Sequence, residues 1–144
     1  MTATEFRNNE APEVKEWRWA AVEGCAPLSR KVFRKWLARV EATQHEETGS
    51  LLFSELFSNA IRYPAPDGLV PTRWFRLDGF IRVEVDDASA KDIVIEDHGF
   101  EAESGRGLIL VHLLADEWGV KYRRFNDGNG NYLNGKTLWF ELHD

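Results

Sequence analysis

Glu55 and Asn59 stand four residues apart in the segment LLFSELFSNAIRY. On a helix that spacing puts both side chains on one face, one turn apart. An amide oxygen is a hard ligand suited to a magnesium ion. A carboxylate one turn away can hold a water or take the proton of an attacking hydroxyl. The same pair also fits an ordinary exposed polar patch. A second candidate is VEVDDASA, in which Asp86 and Asp87 close an alternating strand and Ser89 follows one small residue later. Alternation sends Asp86 to the polar face and Asp87 to the other. An acid that points inward needs donors. An adenine amino group is one such donor, and the backbone of a turn closed by Asp87 itself is the other reading.

The third candidate is GRGLILVHLLADEWGV, residues 105 to 120. Gly105 and Gly107 flank Arg106 at the start of an apolar run, although glycine costs a helix about 1 kcal/mol relative to alanine. A helix start carries unpaired N–H groups and a partial positive charge. Anions bind there, and glycine lets their oxygens reach the backbone. A plain loop running into a helix has the same composition, so this motif too is weak when taken singly. The three occur in the order metal, adenine, phosphate. Neither GxxxxGK[ST] nor GxGxxG after a first strand is present.

The elements that must position these residues follow from hydrophobic spacing. EWRWAAV reads as a strand. An amphipathic helix starts near Pro27 and Ser29 and carries Leu28, Val32, Phe33, Trp36, Leu37 and Val40 on its apolar side. Its other side is basic, with Arg30, Lys31, Arg34, Lys35 and Arg39. A second helix runs from about Glu46 to Tyr63 and is stopped by Pro64 and Pro66. TRWFRL and FIRVEV form a hairpin around Asp78-Gly79. IVI at 93–95 is a short apolar stretch, and EDHGFEAESGRG is loop-like. A third helix covers about 107–117. WGVKYRRF, the turn-rich NDGNGNYLNG and KTLWFEL make a second hairpin. The order β, α, α, β, β, α, β, β describes a two-layer α+β sandwich with a mostly antiparallel sheet. Residues 1–15 read as a tail and 16–144 as one domain.

Bulk properties narrow the function. The chain has 144 residues with a formal net charge of −6, so a broad basic groove for nucleic acid is not expected. Cys25 is the lone cysteine, which excludes an internal disulfide and fits a small buried hydrophobe. The polar N-terminal segment does not have the order of a signal peptide, and no apolar run reaches the roughly 20 residues that span a bilayer. A soluble cytoplasmic protein is expected. His45, His98, His112 and His143 show no metal-ligand spacing. Trp36 and Trp118 could lie at a partner surface; otherwise the six tryptophans belong to the core.

Taken together, the motifs resemble those of the histidine-kinase-like (GHKL) ATPases. LLFSELFSNAIRYPAPDG is similar to the asparagine box, and more narrowly to that of the small anti-sigma-factor serine kinases of actinobacteria. VEVDDAS resembles their reduced adenine-binding motif, GRGLILVHLLADEWGV their second glycine box and GKTLWFEL their closing strand. The likeness covers about Trp17 to Leu142. It implies the Bergerat fold, a mixed, mostly antiparallel sheet covered on one face by three helices. It implies ATP bound with Mg²⁺, with Asn59 as metal ligand and Glu55 as general base. It also implies Asp87 and Ser89 at the adenine, Gly105, Arg106, Gly107 and Leu108 at the phosphates, and Thr137 near the adenine. The implied partners are a sigma factor and an antagonist protein that receives phosphate on serine, and homodimers are common in the family. Tyr63 stands where the family often has histidine, and residues 90–104 carry Glu96, Asp97, Glu101 and Glu103. These features motivate a second reading, a non-catalytic binding module with a degenerate nucleotide pocket.

Overall fold

The computed structural model describes residues 13–89 and 106–144. Strand β1 (Glu13–Ala20) leads into helix α1 (Cys25–Arg39), a single 3-10 turn (Thr43–His45) and helix α2 (Glu46–Arg62). Strands β2 (Leu69–Leu77) and β3 (Phe80–Asp87) form the first hairpin. Helix α3 (Arg106–Leu114) precedes the second, β4 (Glu117–Asn126) and β5 (Tyr132–His143). The strands lie in the order β1-β2-β3-β5-β4, and every neighbouring pair is antiparallel. The mixed sheet expected from the resemblance is thus antiparallel throughout its described strands.

Sequence alternation determines which face of the sheet the helices cover. Ile81, Val83 and Val85 of β3 are buried, as are Trp74 of β2 and Leu138, Phe140 and Leu142 of β5. Against them pack Phe33, Trp36 and Leu37 of α1, Leu52, Phe53, Leu56 and Phe57 of α2, and Leu108 and Val111 of α3. Trp74 lies at the centre, fully buried, with the rings of Phe33, Phe53, Trp36 and Trp19 within 5.0–6.4 Å. Trp36 is therefore core, and the expectation of a surface role for it is corrected. β1 is an edge strand whose Glu13, Glu16 and Arg18 are exposed, and such charge discourages strand addition.

Element ends differ from the sequence reading in three places. β1 starts at Glu13 and takes residues 13–15 out of the expected tail, because they pair with Trp74–Arg76. α1 starts at Cys25 rather than near Pro27. Proline is tolerated in a first turn, where its missing N–H would be unpaired in any case. α3 stops at Leu114, short of 117, because the chain is drawn onto β5. Asp116 N–H donates to the Glu141 carbonyl at 3.0 Å, and the Asp116 carboxylate accepts the His143 N–H at 2.7 Å. In the β2–β3 turn Gly79 has φ +90°, a conformation that glycine adopts without strain. Among the described residues no helix is long and apolar enough to cross a membrane.

Candidate functional site

The second helix carries Glu55 and Asn59 on one face, both half-buried, beside the fully buried stripe Leu52, Leu56 and Ala60. α2 packs on β3 and on α3. Its C-terminal end is tied to the end of β3, where the Ala88 N–H donates to the Tyr63 carbonyl at 2.7 Å. Asn59 lies one turn before Tyr63, about 5–6 Å along the helix axis. The asparagine therefore stands beside the strand end that bears Asp87, and this one backbone bond brings together two motifs 28 residues apart in the chain.

Asp87 is on the helix side of the sheet, as alternation predicts, and is 4% exposed. Its Oδ1 accepts the Ser89 N–H at 2.9 Å, which closes the local turn, and the Lys136 Nζ at 3.0 Å. Asp87 thus closes its own turn, and it is also aimed inward, where Lys136 is its donor. Lys136 is 5% exposed and also donates to the Ser89 carbonyl at 2.9 Å. Lys136 faces Asp87 directly across the β3–β5 ladder. Sequence reasoning missed this lysine. The signal was present in GKT, but the register that sets Lys136 opposite Asp87 depends on the hairpin length, which spacing did not yield.

Gly135 lets the two strands meet this closely. A Cβ there would lie 2.5 Å from both the Asp87 carbonyl oxygen and the Phe125 ring.

Thr137 is separated from this group. It pairs with Asp86, so its side chain lies on the opposite face of the sheet, where its hydroxyl donates to Asp86 Oδ1 at 2.6 Å. Asp86 is fully buried although it sits on the polar face. Arg73 binds it through both guanidinium ends at 2.6 and 3.1 Å, and Arg123 supplies a further ion pair. Arg73 also reaches Glu84 at 2.7 Å, and Arg82 joins Glu84 to Glu141 at 3.0 and 3.1 Å. Burial would lower the Arg73 pKa, but hydrogen bonds to Asp86 and Glu84 outweigh it, so the guanidinium is held above its ordinary range. This charged lattice braces the back of the strand that presents Asp87.

Leu108 is buried in the core at the start of α3. Arg106 and Gly107 form the first turn of that helix. Gly105, the apolar stretch 93–95, His98 and the acids Glu96, Asp97, Glu101 and Glu103 lie outside the described residues.

Of the other singled-out residues, Cys25 is partly buried against the core. His45 is buried and bonds Asp144 at 2.7 Å, and His112 meets the Trp118 indole N–H at 3.2 Å. His143, Glu141 and Glu117 approach one another closely enough to suggest a metal site. The hydrogen bond to Glu141 raises the His143 pKa.

A family model described as the histidine kinase-like ATPase domain matches residues 19–135. The chain belongs to the histidine kinase-like ATPase family. No individual curated protein matches the sequence. The family match implies ATP as ligand, and the donor set suits it. In this histidine kinase-like ATPase chain Asp87 Oδ2 has no hydrogen-bond partner among the described residues, so one inward acceptor is left for an exocyclic amine. Asn59 is the oxygen donor that would hold a magnesium ion, whose chemistry there is to neutralise charge on the phosphates.

Proposed function

We propose that this chain binds Mg-ATP, transfers the γ-phosphoryl group to a serine of an antagonist protein, and holds a sigma factor in alternation with that antagonist. The observation that supports the reading is the 2.7 Å bond from Ala88 to Tyr63, which ties the end of α2, one turn after Asn59, to the end of β3 next to Asp87. In this reading Asp87 and Ser89 take the adenine. Arg106 and Gly107 in the first turn of α3, together with Gly105, receive the phosphates. Glu55 accepts the serine proton as the serine oxygen bonds to the γ-phosphorus. The bond from that phosphorus to the β–γ bridging oxygen breaks, and ADP leaves with the bond electrons. Thr137 is given no role at the base; it holds Asp86. Incubation with γ-labelled ATP and candidate antagonist proteins tests the proposal. Label on a serine of one of them is the expected result. Firm Mg-ATP binding with no transfer to any would favour the second reading, a binding module without phosphotransfer. That reading draws its support from the acidic run between residues 96 and 103.

A further inference from the structure

We propose that Lys136 is a second base-recognising residue, which reads the ring nitrogen next to the amino group that Asp87 receives. The inference rests on the nucleotide reading above and deepens it.

An ammonium has three protons to donate. Lys136 gives one to Asp87 Oδ1 and one to the Ser89 carbonyl, at 3.0 and 2.9 Å. The third has no acceptor among the described residues. Beside it Asp87 Oδ2 has no donor among the described residues. A donor next to an acceptor, each with capacity to spare among the described residues, is the complement of an edge that presents an acceptor next to an amine. The adenine Watson–Crick edge is such an edge, with N1 beside the N6 amino group. Purines that lack either group satisfy only half of it.

The surroundings fix this arrangement. Lys136 and Asp87 are 5% and 4% exposed, so water competes weakly for either. Their pairing is set by ladder register rather than by a mobile side chain. Gly135 allows the close approach, and the Asp86 lattice on the other face holds β3 in place. Lys136 therefore meets the base as a preset donor. Its ion pair with Asp87 uses only Oδ1, so it does not block the site.

The test is equilibrium binding, in magnesium buffer, of three triphosphates to the unmodified protein and to Lys136→Met. They are ATP, 1-deaza-ATP (a C–H in place of N1) and purine riboside triphosphate (no amino group). Hydrogen bonds to charged groups contribute on the order of tenfold or more in affinity. The unmodified protein should bind ATP about tenfold more tightly than 1-deaza-ATP, and Lys136→Met should reduce that gap to under about threefold. In the unmodified protein the ¹⁵N signal of the buried Lys136 ammonium should shift with ATP and not with 1-deaza-ATP. This readout stands even if the variant folds poorly.

A preference for ATP over purine riboside triphosphate without one over 1-deaza-ATP would overturn the proposal and leave Asp87 as sole reader. Persistence of the N1 gap in Lys136→Met, or tighter ATP binding by that variant, would also overturn it. Failure of the unmodified protein to bind any of the three would remove the nucleotide reading itself, and this inference with it.

Discussion

At the residue scale the account assigns separate tasks to neighbours that look alike. Asp86 and Asp87 are adjacent acids, and both are buried. One is bonded by two arginines and a threonine; the other has one oxygen without a partner among the described residues. Asp87→Asn should therefore weaken ATP binding, and it should also lower stability because it removes the counter-charge of the buried Lys136. Asp86→Ala should cost about 1–3 kcal/mol of stability, because it removes the buried acceptor shared by Arg73, Arg123 and Thr137. Urea denaturation of both variants compares them. Glu55→Gln should retain ATP binding but slow phosphotransfer by about 10²–10⁴-fold, the usual weight of a general base. His143 offers a pH prediction. Its imidazole titrates above the ordinary histidine value chiefly because it bonds Glu141, so an NMR titration should show that midpoint fall in Glu141→Gln. The shared face of Glu55 and Asn59 and the inward aim of Asp87 were legible in the sequence because i,i+4 spacing and strand alternation place side chains without tertiary knowledge. Lys136 was not, because its partner is set across strands.

At the scale of elements, the site depends on where chain ends are pinned. The α2 end is tied to β3 at Tyr63, and β5 reaches β3 through Gly135. Gly135→Ala should cost about 1–3 kcal/mol, since its methyl would press on backbone and on a packed ring. Thermal unfolding measures that loss, and an unchanged midpoint would show that the β5 approach is looser than described. The helices and the first hairpin were legible from periodicity and from Asp78-Gly79. The end of α3 was not. Its apolar pattern continues to Trp118, and only the bonds from Asp116 to β5 show why the helix stops early.

At the scale of the whole molecule, one aromatic core supports the sheet from the helix side and a charged lattice supports it from behind. Trp74→Ala should cost about 3–5 kcal/mol because the ring contacts elements of both layers. Far from the site, Asp144 is held below the usual carboxylate range by its hydrogen bond from Arg76, with a further one from His45, against the opposing effect of burial. A depressed native pKa stabilises the fold above the ordinary carboxylate value, and the contribution is lost as pH falls through the depressed one. The stability gap between the unmodified protein and Arg76→Ala should thus be full at neutral pH and shrink below about pH 4. The two-layer order was legible from the chain because each element shows its own period. The back lattice was not, since Arg73, Glu84 and Asp86 read as ordinary solvent-facing charges.

The central claim is that the α2 asparagine and the β3 aspartate serve one nucleotide. Calorimetry of Mg-ATP with the unmodified protein, Asn59→Ala and Asp87→Asn tests it most directly. The account predicts binding by the first, loss of magnesium-dependent binding in Asn59→Ala and weakened binding at any magnesium level in Asp87→Asn. Equal binding by all three, or none by the unmodified protein, would contradict it.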